Sequence, residues 1–410
     1  MSGQIVLFED QFVGRMAPIT LTRPAFGVRC AVYNLYDIVC MTEAFVTYVV
    51  RDWLREVAEM NYESSPLAAG PKLFLNAAVA PDVRYLEYLE PILEAGEPFL
   101  CTSGQRVTAA LVPEQAEVPD DLSSDTVQPW LLELGLPVRE REMFKTFDYP
   151  FHVVGALKGL FPQNIVHKIE SGDYRQFGPG VFVGEGVEVA DTAVFHSEEG
   201  PIVLDEGARV LDFTYFHGPL YIGPNSRIIE RSSVKEYVSV SHTCKIGGEV
   251  EASTIEPYTN KQHHGFLGHA YVGSWVNMGA GTSNSDLKNT YGEVRMQLGE
   301  QRVETGMQFL GCIMGDYCKT AINTSIFTGK IIGVNSMLYG LIGQNVPSFT
   351  NYARTFGQVT EVGLEQAVVT QRRMFARRDV EQTEADVKLL RTVFRRTRAE
   401  RRISSDPPVL

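Results

Sequence analysis

Residues 222–246 read IGPNSRIIERSSVKEYVSVSHTCKI, and an aliphatic side chain returns at every sixth position: Ile222, Ile228, Val234, Val240 and Ile246. An amphipathic helix brings apolar residues back every three or four positions, and a half-buried strand every second one. A period of six belongs to neither. It suits a solenoid of short strands, in which each flat side gives one inward aliphatic per hexad and stacked coils bury those side chains in a continuous column. A second run holds a period of six through Met314, Thr320, Ile326, Ile332 and Leu338. Small residues stand four places after several leaders (Ser226, Ser232, Cys244, Cys318, Thr324, Ser336), where a narrow coil has little room. Gly follows the leader at Gly184, Gly223, Gly247, Gly315 and Gly333, which suits a tight corner. A sandwich or barrel of short strands also gives runs of Val and Ile with Gly turns, but rarely keeps a strict six-residue phase over five repeats.

The hexads mark out residues 177–346 as a left-handed parallel β-helix, with an insertion near residues 283–305 that must loop out of the coil. That fold breaks the right-handed crossover rule, so its assignment rests on the repeat and not on general topology. On either side the pattern changes. Residues 1–168 mix strand and helix signals: an interior strand at residues 5–8, a loop through Pro18 and Pro24, a helical stretch over residues 28–47, and a second interior strand over residues 73–79. Such alternation predicts an α/β layer, and the acidic, Pro-bearing residues 112–126 a surface excursion. Residues 361–403 form a helical tail, with Val380, Val387, Leu390 and Phe394 as an apolar stripe among arginines, and residues 404–410 read as frayed.

At 410 residues the chain is long enough for two or three domains with separate cores. Its formal net charge of −13 argues against a general nucleic-acid binder, which needs a basic footprint. The charge is uneven: residues 371–402 carry eleven Arg/Lys and five Asp/Glu, so that tail is +6 and the remainder −19. An arginine-rich face of this kind is most often solvated and only weakly a docking element. The six cysteines show no CxxC pair, which points to free buried thiols in a reducing compartment. No apolar stretch approaches the ~18 residues of a membrane span, and the first residues lack a basic region ahead of a long apolar run. The expectation is a cytoplasmic protein.

Residues 260–282 are the most specific segment: Asn260-Lys261-Gln262-His263-His264-Gly265-Phe266-Leu267-Gly268-His269, then Ala270-Tyr271-Val272-Gly273-Ser274-Trp275-Val276-Asn277-Met278, then Gly279-Ala280-Gly281-Thr282. This run resembles the acetyltransferase domain of the bifunctional N-acetylglucosamine-1-phosphate uridylyltransferase / glucosamine-1-phosphate N-acetyltransferase family. Laid on this chain without gaps, the family's catalytic His falls on His263 and its substrate-contacting Asn on Asn277. The uneven step from Leu267 to Val272, five where the hexads take six, is shared with the family. The resemblance implies acetyl-CoA as substrate, an amino-sugar phosphate or sugar nucleotide as the other, and a homotrimer with sites between subunits. It makes His263 the candidate base, Lys261, His264 and Asn277 the substrate-binding candidates, and Gly279, Ala280 and Gly281 the bed of the pantetheine arm. Where the family has a sugar-phosphate lysine this chain has Glu251, which leaves the acceptor open. Acetyl transfer from a thioester to an amine needs a base and donors for the developing oxyanion, and imidazole, with an unperturbed pKa near ~6.5, suits the first task.

The front of the chain is similar to the same family's nucleotidyltransferase domain. The strand at residues 5–8 leads into Gly14-Arg15-Met16-Ala17-Pro18-Ile19-Thr20, with Arg23-Pro24 following, where the family has a Gly-rich phosphate loop. Gly14, Arg15, Met16 and Arg23 are therefore the nucleotide-binding candidates, and Asn76 stands for the family's Mg²⁺-binding Asp, though an amide is the poorer ligand. Glu9, Asp10, Gln11 and Phe12 replace the glycines that let backbone amides approach phosphate. Two carboxylates there would repel it, by roughly 3 kcal/mol for like charges ~5 Å apart at an effective dielectric of ~20. A domain related in fold and poor in nucleotide binding is the expectation.

Two readings of another class compete. His264 and His269 have the His-x₄-His spacing of γ-class carbonic anhydrases, also left-handed β-helices, whose zinc takes three His and an open position. Residues 228–233, where the third His belongs, contain none, and His217 and His242 fall on the wrong coil. The altered phosphate loop fits a non-catalytic, sugar-nucleotide-binding scaffold.

Overall fold

The computed structural model describes residues 3–139 and 144–401, so residues 404–410, expected to fray, lie outside the described residues. The chain forms two compact units. The first holds the residues up to Tyr149 except Cys30–Val32, which join the second with everything from Pro150 onward. The second unit thus begins ahead of the expected boundary near residue 168. The helix Pro150–Ser171 belongs to it, with Val154, Leu157, Phe161 and Ile165 buried. Phe161 meets the Tyr237 ring edge-on at 6.0 Å.

In the first unit, β1 (Gln4–Phe8), β2 (Phe45–Val49), β3 (Lys72–Asn76), β4 (Phe99–Ser103), β5 (Arg106–Val112) and β6 (Val138–Arg139) form one sheet in the order β2-β1-β3-β5-β4-β6. β1 is parallel to β2 and β3, while β5 runs antiparallel to β3 and β4. All five residues of β1 are buried, as its apolar run requires. The helix expected over residues 28–47 is only Leu35–Val39, held by a reciprocal cap between Asn34 and Asp37. Beyond it the β-branched and aromatic Phe45-Val46-Thr47-Tyr48-Val49 pairs residue for residue with β1, and that pairing outweighs helical spacing.

The second unit is a parallel β-helix with three faces. The first face runs through Ile202–Leu204, Leu220–Ile222, Val238–Val240, Thr254–Ile255, Tyr271–Val272, Ile313–Met314 and Ile331–Ile332. The second runs through Arg209–Val210, Arg227–Ile228, Lys245–Ile246, Asn260–Lys261, Asn277–Met278, Lys319–Thr320 and Met337–Leu338. The third takes Tyr215–His217, Ser233–Val234, Glu249–Glu251 and Phe266–Gly268, and later coils extend it with Ser283–Asn284, Ser325–Ile326 and Leu341–Ile342. Ile222 pairs with Val240, three hexads on. Every leader of the first run is fully buried in one core with Met314, Ile326, Ile332 and Leu338. Full burial of one such aliphatic is worth about 1.5–3 kcal/mol, so the column supplies the coil's stability.

Left-handed backbone falls three residues after many leaders, at Asn225, Arg231, Tyr237, Thr243, Tyr258, Trp275, Tyr317, Asn323 and Asn335. The glycines that follow leaders serve another purpose. A Cβ on Gly223 would sit 2.8 Å from the Ser241 carbonyl carbon, and one on Gly247 2.2 Å from the Gln262 oxygen. They are small because the next coil lies against them. The insertion after the third-face strand Ser283–Asn284 carries the hairpin Arg295–Leu298/Gln301–Glu304. All six cysteines are free; five are buried as expected, and Cys40 is exposed.

Candidate functional site

His263 and His264 stand on the corner between the second-face strand Asn260–Lys261 and the third-face strand Phe266–Gly268, with both side chains exposed. The corner holding Gly279, Ala280 and Gly281 stacks on it, the Gly281 amide donating to the His264 carbonyl oxygen at 3.0 Å. Gly265, at φ +127°, has no room for a side chain, since a Cβ would lie 2.1 Å from the Thr282 oxygen. Gly279 and Gly281 are likewise constrained by the next coil, at Ala321 and Asn323. The structure therefore brings His263, His264 and residues 279–281 together, and packing within the chain already accounts for the two glycines. His263 Nε2 lies 3.3 Å from the Gln262 side-chain nitrogen.

Lys261 is not a surface residue. It takes the inward position between Ile246 and Met278 on neighbouring coils and is 2% exposed. Its ammonium donates to the carbonyl oxygens of Gly247 (2.7 Å), His263 (3.2 Å) and Gly265 (2.7 Å). Burial lowers its pKa to about 8. The expected contact between Lys261 and a sugar phosphate is thus replaced by a structural role: the buried ammonium ties the His263 corner together from inside. Glu251, at the position of the family's sugar-phosphate lysine, lies 3.6 Å from Lys235, which also pairs with Glu249.

Asn277 faces outward on the second face, in a column with Lys245, Asn260 and Lys319. Together with Gln262 this column lines a cavity of about 310 Å³, which Met374 near the end of the helix Leu364–Ala376 and Arg377 and Arg378 beyond it also line; a second helix, Glu384–Arg396, follows. Arg378 donates to the Asn260 oxygen at 2.6 Å. Trp275 stacks on Tyr258 at 4.2 Å and 6° and meets Phe375 of the helix at 4.4 Å. Most arginines of the tail are exposed, as expected of a solvated face, while Arg377 and Arg378 line this cavity. Burial lowers the pKa of Lys319 to about 8, and burial and neighbouring arginines lower that of Lys245.

The front loop differs from its expectation in physical detail. Glu9 and Asp10 are buried at 0% and 1% exposure, so they do not project at a ligand. Glu9 accepts from Arg51 Nε at 2.9 Å and Nη2 at 2.8 Å, and from the amides of Arg51 and Ala25. Asp10 pairs with Arg106 at 2.8 Å and accepts from the Phe12 amide. Two arginines neutralise these carboxylates, so the expected repulsion of phosphate does not arise from them. Asn76 does not fit a Mg²⁺ ion. Its amide nitrogen donates to Asp10 and to the Val107 carbonyl, and its oxygen accepts from the Ala78 amide. Met16 is buried, nothing lies within 4 Å of a Cβ placed on Gly14, and Arg15 lies over the Phe12 ring. The Arg23 carbonyl accepts from Arg51.

One pair escaped the sequence reading. His269 Nδ1 lies 2.9 Å from the Asp286 carboxylate, and its ring stacks on Phe309. A carboxylate at Nδ1 orients an imidazole and sets its tautomer. Asp286 follows the last regular strand before the insertion, where the hexads stop predicting neighbours. His269 is thus engaged apart from His264, and His217 is 3.0 Å from Glu236. Among the described residues, no group of three or more His, Cys, Asp or Glu side chains could hold a metal ion. None of the described helices is long and apolar enough to cross a membrane.

A six-stranded α/β unit followed by a hexapeptide-repeat β-helix defines a class of two-part proteins, with a nucleotidyltransferase-like front and an acyltransferase-like coil. Residues 5–160 match the family model described as sugar nucleotidyl transferase. A bifunctional sugar-1-phosphate nucleotidylyltransferase/acetyltransferase of Sulfurisphaera tokodaii is 32% identical over 143 residues, 34% of this chain and 36% of the relative. A bifunctional protein GlmU of Methanocaldococcus jannaschii is 30% identical over 166 residues, 37% of this chain and 38% of the relative. The matches span little more than a third of these relatives. A solved UDP-N-acetylglucosamine acyltransferase from Campylobacter jejuni aligns over 52% of this chain and 94% of its own at 11% identity, with a TM-score of 0.21, and adds nothing to the argument. Over part of its length the chain is thus similar to sugar nucleotidyl transferases and to bifunctional sugar-1-phosphate nucleotidylyltransferase/acetyltransferases.

Proposed function

We propose that the β-helix is an acetyl-CoA-dependent N-acetyltransferase for an amino-sugar phosphate or sugar nucleotide, acting as a homotrimer. The observation that carries this reading is the exposed His263 on a corner stacked against residues 279–281 and adjoining the cavity lined by Asn277. The acceptor's amine attacks the thioester carbonyl carbon, His263 takes the nitrogen's proton, the C–S bond breaks and the thiol leaves protonated. Asn277 holds a hydroxyl or carbonyl of the acceptor. Exposed Phe327 and Leu341 give the coil apolar surface for neighbouring subunits to cover. Incubation with acetyl-CoA and a panel of amino-sugar phosphates, followed by thiol release, tests the reaction. Light scattering at micromolar concentration tests the trimer, and a monomer removes the shared site.

For the front unit we infer weak nucleoside triphosphate binding and slow or absent sugar-nucleotide formation. The Phe12 amide of the loop already donates to Asp10, and Glu9 is held by the Ala25 and Arg51 amides, so the two carboxylates act as internal anions. Calorimetry with UTP and dTTP in Mg²⁺, with a pyrophosphate-release assay on hexose 1-phosphates, checks this. Micromolar binding with steady release would overturn it.

A further inference from the structure

The cavity on the second face has a composition out of keeping with the rest of the chain. Four of its lining side chains are cationic (Lys245, Lys319, Arg377, Arg378) and no carboxylate lines it, in a protein of net charge −13. We propose that this cavity is a binding site for a phosphorylated ligand, with a diphosphate group as the best match, clamped between the lysines of the coil and the arginines that follow the helix Leu364–Ala376.

Lys245 and Lys319 stand at the two ends of one column, with Asn260 and Asn277 on the rungs between them. Adjacent strands lie about 4.8 Å apart, so the three steps place the lysines roughly 14 Å apart, with two amide side chains in the gap. An anion lying along the column meets a charge at either end and hydrogen-bonding amides between. Arg377 and Arg378 approach from the other wall. Arginine just past a helix end often serves only to face the last carbonyls, but Arg378 instead reaches across to Asn260, 118 positions earlier in the chain. That bond turns its guanidinium toward the column. The site has the volume of a small-ligand pocket.

The aromatic residues narrow the ligand class. Trp275 has Tyr258 against one face and Phe375 against the other, so it pins the helix to the coil and offers no open face to a nucleobase. Recognition falls to charge and hydrogen bonds, which is the chemistry of phosphate. Burial lowers the pKa of Lys319, and burial together with neighbouring arginines lowers those of Lys245 and Arg378, so an anion placed among them would be stabilised by their charge.

The phosphate can come from the acyl donor or from the sugar. The site itself does not depend on the acetyl-transfer reading; its assignment to one of those substrates does. The test is calorimetry of the full chain at low salt with inorganic pyrophosphate, coenzyme A and a hexosamine 1-phosphate, repeated with Arg377→Ala and Lys245→Ala. Arg377 is exposed and Lys245 only partly buried, so both variants should keep the fold, checked by circular dichroism. Pyrophosphate binding that weakens about tenfold in each variant, and weakens again with added salt, supports the site. Competition with coenzyme A assigns the phosphate to the acyl donor, and competition with the hexosamine 1-phosphate to the acceptor. No binding of any of the three, or affinities unchanged in both variants, overturns the proposal. Acetyl transfer that persists without such binding would leave the reaction standing and remove the site; binding without acetyl transfer would do the reverse.

Discussion

The loop after β1 and the second face of the β-helix both gather charge where a phosphorylated ligand is expected, yet they dispose of it differently. In the loop each carboxylate has a buried arginine: Glu9 holds Arg51, and Asp10 holds Arg106 and the Asn76 amide. On the second face, Lys245, Lys319, Arg377 and Arg378 line a cavity with no carboxylate among them. The lesson is that charge at a ligand position is uninformative until its partners are known. Paired and buried, it closes a loop; unmatched around a cavity, it is available to a ligand.

The largest expected effect lies at the corner beside the cavity. His263→Ala should lower thiol release in the acetyl-transfer assay by ~10²–10⁴-fold with little change in stability. His264→Ala should do less. If His269→Ala proves as damaging as His263→Ala, the base is the His269–Asp286 pair.

Next in size is the front loop. Arg51→Met leaves the Glu9 carboxylate buried without its partner, and unfolding by denaturant should show a loss of about 3–5 kcal/mol. The double substitution Glu9→Gln/Arg51→Met should recover part of it. A loss no larger than that of an exposed arginine would show that the pair does not close the loop.

The contrast sharpens among the lysines of the second face. Lys261→Met removes the donor shared by three corner carbonyls and should cost about 1–3 kcal/mol in the same measurement. Lys245→Ala, on the cavity side, should stay within about 0.5 kcal/mol. Equal costs would break the distinction between the inward and outward lysines of one face.

The smallest effect is a pH dependence. In the free protein burial holds Lys319 at about 8, and a bound anion favours its charged form and raises that value. Affinity for pyrophosphate through Lys319 should then be level below pH 8 and fall as pH rises above it, by up to about tenfold per unit, because binding takes up a proton there. Lys319→Arg, which keeps its charge, should flatten the profile in calorimetry run at successive pH values after correction for pyrophosphate's own ionisation.

Much of the β-helix was legible in advance, because a repeat is a local property. The hexads named the buried leaders and the small residues beside them. The same register could have placed Lys261 indoors: it falls six after Ile255, in the inward position, and its charge drew the reading toward a ligand. The helix expected over residues 28–47 failed for the opposite reason. Residues 45–49 have a mixed pattern, and the decision came from pairing with β1. Glycines after the leaders were read as turn formers, whereas the closeness of the next coil sets their size.

By itself, then, the sequence determined the coil and its inward column, since both follow from spacing along a few turns of chain. Tertiary structure alone decided what the charges do. Glu9 meets Arg51 across 42 positions, Asp10 meets Arg106 across 96, and Asn260 meets Arg378 across 118. No periodicity reaches over such distances. Only the folded chain brings those groups within hydrogen-bonding range, and that range decides whether a charge holds the protein together or stays open to a ligand.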